Sequence, residues 1–193
     1  MPRKKNTSDA TIINAARATF LSDGIGASTK TIARFAGVSE GVLFQRFGSK
    51  QNLFFLAMRM PPPDLSHAVE ASKAAPDHRV ALLILARAIL DYLRTVIPSL
   101  MLVMAHPLST KVFQQHTGHA HELMLERFGL AETLENCFAT YVDNQALRPR
   151  DYTTVTDILL SSLITRVLHE QIGLDEIDDT DEWLTKVLTA LID

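Results

Sequence analysis

Four histidines and one cysteine are the residues whose types suggest metal chemistry: His106, His116, His119 and His121, with Cys137 not far along. A metal site needs several neutral imidazoles or thiolates converging on one point. On a helix His116 and His119 share a face at i, i+3, but His121 lies well round from His119, and Gly118 weakens the case for a continuous helix. No acidic residue falls at a ligand spacing with them, although Glu122 is adjacent. Polar lining of a pocket or plain surface histidines is the expectation, with no metal and no cofactor assigned. Cys137 falls on an apolar helix face, which suits a core thiol better than a redox sensor. There is no Gly-x-Ser-x-Gly elbow, no His-Glu-x-x-His helix and no phosphate-binding Gly-rich loop. Carboxylates cluster only from Asp175 to Asp179, where solvation is the default. The chain is not expected to be an enzyme.

A second set, in Ser28 to Lys50 (STKTIARFAGVSEGVLFQRFGSK), points to a different chemistry. Thr29 and Lys30 stand in the first turn of a short helix, where free backbone N–H groups attract phosphate oxygens, and Ser28 is placed to cap it. Gln45 and Arg46 have the reach and the donors for base edges or phosphates in a major groove. Gly41 would allow close backbone approach, and Lys50, opening the next helix, suits a phosphate clamp. The elements that must hold these groups follow from periodicity. Ile32, Phe35 and Ala36 give the first helix an apolar face, Gly37 ends it in a left-handed conformation, and Val38 plugs the turn. Ser39 caps a second helix, Glu40 to Phe47, whose Leu43 and Phe47 face inward and leave Val42, Phe44, Gln45 and Arg46 outward or sideways. This is a helix-turn-helix, whose second helix can enter the DNA major groove.

The stretch resembles the DNA-binding motif of the TetR (tetracycline-repressor-like) family of bacterial regulators. The matching residues are Ser28, Ile32-Ala33, Ala36-Gly37-Val38-Ser39, Gly41, Leu43-Phe44, Phe47, Lys50 and Leu53, over roughly the first quarter of the chain. Two residues depart from the family pattern. Phe44 stands where Tyr is usual, removing a phosphate-binding hydroxyl. Glu40 stands where a basic or neutral residue is common; it would repel phosphate, favour the helix dipole or accept from a cytosine amine. The resemblance implies an all-α fold: an N-terminal three-helix helix-turn-helix DNA-binding domain (1–50) and a C-terminal helical bundle (51–193) for ligand binding and dimerisation. It further implies a homodimeric repressor, released from a palindromic operator when a small apolar or amphipathic ligand changes the spacing of the two heads.

Composition agrees with a soluble cytoplasmic regulator. The chain of 193 residues is 47% hydrophobic, long enough to bury a sizeable core, and its one cysteine precludes a disulfide framework. No apolar run reaches the ~18 residues of a membrane span, and the N-terminus has no signal-peptide pattern. Residues 1–60 hold nine Lys/Arg against three Asp/Glu (+6), so the remainder, ten against nineteen, is −9. A basic head on an acidic body fits a two-part DNA-binding protein. Arg3, Lys4 and Lys5 form a basic arm that could settle on phosphates or reach a minor groove.

In the body, helices are expected at about 65–75, 77–96, 110–128, 131–146, 153–172 and 181–192, with Pro98 an interruption. Met101, Met104, His106, Phe113, His116, Met124, Phe128, Phe138 and Tyr141 are candidates to line a ligand cavity, since methionines and aromatics make adaptable apolar walls; equally, they could fill the core. Val155, Ile158, Leu159, Ser162, Leu163, Val167, Trp183, Leu184, Val187, Leu188 and Leu191 stripe the last two helices, which resemble the family's dimer interface. Two alternatives stay open: a regulator without a small-molecule ligand (an activator or one answering to a protein partner), and a histidine-based metal sensor or enzyme.

Overall fold

The computed structural model describes residues 7–108, 129–174 and 179–192. These contain nine α-helices: α1 Asp9–Asp23, α2 Thr29–Ala36, α3 Glu40–Phe47, α4 Lys50–Ala57, α5 Ser66–Lys73, α6 His78–Ala105, α7 Leu130–Asp143, α8 Tyr152–Ile172 and α9 Thr180–Ile192. None of the described helices is long and apolar enough to cross a membrane. The chain divides into two compact units. One takes in the described residues of Met1–Met60 and Pro98–Thr110, the other those of Pro61–Ile97 and Lys111–Asp193.

In the first unit each helix starts and stops for a local reason. The Ser8 hydroxyl caps α1, accepting from the Thr11 N–H at 3.1 Å. α1 buries Ile12, Ala16 and Phe20, together with Thr19, whose hydroxyl is satisfied by the Ala15 carbonyl at 2.8 Å. α2 ends at Gly37, φ 69° and ψ 32°; the Val38 N–H returns to the Ala33 carbonyl (3.0 Å) and the Gly37 N–H to that of Arg34 (3.2 Å). That pair of bonds is a Schellman ending, and it needs a residue tolerant of positive φ. Ser39 and Ser49 cap α3 and α4 by accepting from Val42 N–H (3.4 Å) and Asn52 N–H (3.0 Å). The core of this unit is Ile12, Ala16, Phe20, Ile32, Ala33, Leu43, Phe47, Leu53, Phe54 and Ala57, all buried. Phe20 and Phe54 meet edge-to-face at 5.1 Å, bringing α1 onto α4.

Three local expectations are corrected. Phe35 is 65% exposed, its ring lying under the Arg34 guanidinium at 5.3 Å. Ile32, Ala36 and Ala33 span a buried arc of about 100° on the helical wheel, and Phe35 falls about 60° outside it at 100° per residue. Ser28 precedes α2 without a side-chain cap bond, and Val38 is half-buried rather than a sealed plug.

In the second unit α6 supplies Ala81, Leu82, Leu85, Ala86, Ile89, Leu90 and Leu93 to the core. Pro98 does not interrupt α6; the helix runs to Ala105. A proline lacks one donor and crowds the carbonyl four residues back, which bends a well-packed helix without necessarily ending it. Phe138 of α7 is fully buried and stacks on Tyr152 at 4.6 Å. Glu170 of α8 receives Arg94 of α6 through both oxygens (2.9 and 2.6 Å) and Arg166 at 3.1 Å. These partners hold the Glu170 carboxyl below its usual range, the Arg94 hydrogen bond being the largest cause. Arg166 is buried and lies over the Trp183 ring of α9 at 5.4 Å, so one carboxylate ties three helices together. Asp179 caps α9 by accepting from the Asp181 and Glu182 N–H groups at 2.9 and 3.1 Å.

Candidate nucleic-acid interface

The candidate residues stand along α3 and at the N-terminal ends of α2, α3 and α4, each the positive end of a helix dipole. Among them Ser28, Lys30, Ser39, Gly41, Phe44, Gln45 and Arg46 are exposed, while Thr29, Glu40, Val42 and Lys50 are half-buried. The inward residues of α3 are Leu43 and Phe47. The recognition helix therefore spends two of its eight residues on the core and leaves the others available to a partner.

The structure links several of these side chains. The Thr29 hydroxyl donates to the Glu40 carboxylate, joining the start of α2 to the start of α3. Glu40 also sits in the first turn of α3, where a negative charge is favourable. Of the three roles open to Glu40 in sequence, this geometry supplies the dipole and adds an inter-helix lock. Arg46 is engaged as well: its Nη1 donates to the Thr7 carbonyl at 2.5 Å and to Asp9 Oδ1 at 3.1 Å. This is a surface pair, its side chains 29% and 66% exposed, and such pairs contribute at most about 1 kcal/mol, so a base or phosphate can compete for the guanidinium. Thr7, Ser8, Asp9 and Arg46 line a wide-open depression of about 480 Å³ where α1 begins. Arg3, Lys4 and Lys5 lie outside the described residues.

Gly41 has ordinary negative φ, and a Cβ there would meet only the Ser39 hydroxyl at 3.8 Å. Nothing within the chain requires glycine at this position. Lys50 stands at the first position of α4, a helix with no acidic residue in its first turn. A cation there opposes the helix dipole, and no carboxylate among the described residues pairs with it. Its neighbour is His106, held between Phe54 and Phe55 at 4.9 Å from each ring, with Nδ1 accepting from the Leu108 N–H at 3.1 Å. Burial first, and the Lys50 charge second, lower the His106 pKa. The far end of α4 is fastened by a residue to which sequence reasoning gave no role. Arg17 of α1 donates through Nε to the Ala57 carbonyl at 2.8 Å and through Nη2 to the Arg59 carbonyl.

Comparison with known proteins identifies the domain that α1 to α4 form. The family model for bacterial regulatory proteins of the tetR family matches residues 12–57, which run from the core of α1 to the last residue of α4. The chain carries the DNA-binding domain of the TetR family of transcriptional regulators. Members of this family are DNA-binding transcription factors, not enzymes. Solved structures extend the likeness of fold over the whole chain. The fatty acid degradation regulator FadR from Bacillus halodurans aligns at TM-score 0.61 and 17% identity, covering 98% of this chain and 97% of its own. The transcriptional regulator FadR from Bacillus subtilis, in complex with stearoyl-CoA, aligns at 0.59 and 14% identity, covering 96% and 98%. The TetR-family regulator PfmR from Thermus thermophilus aligns at 0.59 and 19% identity, covering 95% and 97%. A comparison with curated protein sequences gives no significant match.

The sequence-derived ligand-site residues of the body are divided between the two units. Met101, Met104 and His106 belong to the first unit, whereas Phe138 and Tyr141 belong to the second. Met101 and Met104 are 37% and 55% exposed, and Phe138 is fully buried and stacked on Tyr152. His106 is a wedge between two phenylalanines. Tyr141 is half-buried with its ring 5.9 Å from His78. Phe113, His116, Met124 and Phe128, like His119 and His121, lie outside the described residues. The Cys137 thiol is half-buried and pushed up to about 11 by burial, which keeps it protonated and unreactive.

The stripes on α8 and α9 divide in the same way. Val155, Leu159, Leu163, Val167, Leu184 and Leu188 are buried within this chain's own core rather than on an outer face. A helix buried on a wide arc shows one continuous apolar pattern, and periodicity cannot say which part of the arc faces its own subunit. Ile158, 48% exposed, faces outward, and Ser162, Trp183, Val187 and Leu191 are half-buried.

Proposed function

We propose that this TetR-family regulator is a homodimeric repressor that binds a palindromic operator and leaves it when a small apolar or amphipathic ligand occupies its helical body. The observation that carries the DNA reading is the position of Lys50: a cation at the wrong end of a helix dipole, next to an outward recognition face, gains its counter-charge from phosphate. In this reading Arg3, Lys4, Lys5, Ser28, Thr29, Lys30 and Lys50 meet the backbone, while Gly41, Val42, Phe44, Gln45 and Arg46 face the groove. Glu40 holds the heads of α2 and α3 in register. The protein acts with its operator in the cytoplasm.

Dimerisation is assigned to the outward part of the α8–α9 stripe, Ile158, Ser162, Trp183, Val187 and Leu191. Two heads read one face of a duplex when they lie about one helical turn apart, ~34–36 Å, or a multiple of it. A ligand that binds the wrongly spaced form more tightly draws the population off DNA, to the extent of its differential affinity. An acyl-CoA is the first ligand class to try, because a regulator of the same fold is described in complex with stearoyl-CoA. The placement of Met101, Met104 and Phe138 favours a second reading, a DNA-binding regulator that answers to no small molecule.

Selection of duplexes from a random pool by the purified protein, followed by fluorescence anisotropy against salt, tests the reading. An enriched inverted repeat whose affinity falls steeply with salt is expected; no enrichment and weak binding at low salt refute it. Adding stearoyl-CoA then separates the two regulators: release supports the ligand-responsive form, and unchanged binding across acyl chain lengths supports the other.

A further inference from the structure

α4 is a short helix of eight residues with Lys50 at its first position. Its N-terminal end is closed by the Ser49 hydroxyl; at its C-terminal end the Met58 N–H returns to the Phe54 carbonyl (2.9 Å) and the Arg59 N–H to that of Leu56 (3.4 Å), and neither serves the Ala57 carbonyl. The C-cap is Met58, at φ −87° and ψ 3°, and no basic residue stands in the last turn. A helix ending this way leaves carbonyls in need of donors. The Ala57 carbonyl takes its donor from α1, forty residues earlier, where Arg17 sets its guanidinium across the end of α4 with Nε on the Ala57 carbonyl (2.8 Å) and Nη2 on the Arg59 carbonyl just beyond the helix. The planar fork presents two donors at fixed spacing, and its charge stands at the negative end of the α4 dipole. Between the two ends, α4 rests on α1 through Phe54 against Phe20.

We infer that Arg17 is a positioning residue for DNA binding: by capping α4 from α1, it fixes the orientation of that helix and so the place of the Lys50 ammonium. Phe54 lies near the middle of α4 and acts as a fulcrum, with Arg17 fastening one arm and Lys50 carried on the other. At 1.5 Å per residue α4 is about 12 Å long, so a tilt of about 10° about its middle moves the Lys50 end by about 1 Å. A displacement of that size separates a direct ammonium–phosphate contact from a water-separated one. Nε and Nη2 of Arg17 face the end of α4, and its effect on DNA is assigned to pass through that helix. The inference rests on the assignment of Lys50 to phosphate.

The test uses the full-length protein and a fluorescein-labelled duplex selected from the random pool, with affinity measured from low to high salt. Arg17→Met keeps the aliphatic stem and removes the donors. For a dimer with one Lys50 contact per subunit, Lys50→Met lowers the slope of log K against log salt by about 1.8, at about 0.9 per phosphate. Arg17→Met is expected to lower it by most of that amount, and to lower it no further in a Lys50→Met background. Arg17→Lys, which keeps the charge and can reach one carbonyl, is expected to fall between. Thermal melting of each variant, with binding measured well below its transition, separates the effect from unfolding; should Arg17→Met not fold, Arg17→Lys with and without Lys50→Met gives the same comparison. An unchanged slope in the Arg17 variants overturns the inference. So do additive losses, which would mean that Arg17 contacts phosphate directly. If the wild-type protein selects and binds no duplex, it is the DNA-binding reading that fails, and the inference with it.

Discussion

Replacing Gly41 by alanine should push stability and DNA affinity in opposite directions. Gly41 is the second residue of α3 and has ordinary helical backbone geometry, with no positive φ. A Cβ built there lies 3.8 Å from the Ser39 hydroxyl, an ordinary contact, and meets nothing else within 4 Å. The folded chain therefore admits the methyl group without strain. Glycine in a helix costs about 0.5–1 kcal/mol relative to alanine, mainly through the freedom it has when unfolded. Gly41→Ala should raise stability by up to that amount, or about 1–4 °C in melting temperature for a chain of this size. On the DNA side the methyl group stands where backbone meets backbone. Displacing one close contact should cost about 1–3 kcal/mol, or roughly a five- to 150-fold loss of operator affinity. Melting followed by circular dichroism, and anisotropy with the selected duplex, measure the two quantities on one preparation. A lower melting temperature would show that the fold itself needs the glycine. Unchanged affinity would show that nothing approaches α3 at this point and would refute the proposed docking face.

The other predictions concern charge, pH and assembly. Glu40→Gln weakens the bond from Thr29 and removes a favourable charge from the start of α3, so it should cost about 0.3–1 kcal/mol of stability while tightening non-specific DNA binding, as titration on an unrelated duplex would show. The His106 pKa is lowered in the folded state, so the unfolded chain takes up the proton first. Stability should therefore fall as pH drops below about 6.5, and His106→Phe, which keeps the stack on Phe54 and Phe55, should remove that part of the loss in melts between pH 7.5 and 5.5. An equal loss in wild type and variant would contradict it. On α8, Ile158→Glu should yield a folded monomer by light scattering. Leu163→Ala, five residues along and fully buried, should instead cost about 2–5 kcal/mol of stability; the reverse pattern would mean that the two faces of α8 have been assigned the wrong way round.

What the sequence determined by itself is the head. Ser39, Gly37, Leu43 and Phe47 act over four to eight residues, through caps, a left-handed turn and an i, i+4 pair, and interactions of that range are written in local order. The end of α2, the bounds of α3 and the family likeness of the first quarter followed from them. The tertiary structure decided everything that depends on which side of an apolar helix faces home. Phe35, Met101 and Met104 are outward and Phe138 is inward, although all four are large and apolar. The stripe on α8 is continuous in sequence, yet Leu159 and Leu163 fill the chain's own core while Ile158 does not. A helical period gives the relative angle between residues but not the direction of the core, which is set by neighbours distant in the chain. Arg17 is the plainest case. Its partners lie 40 and 42 residues away, they are backbone carbonyls without side-chain identity, and only the packing of α1 against α4 brings them within reach.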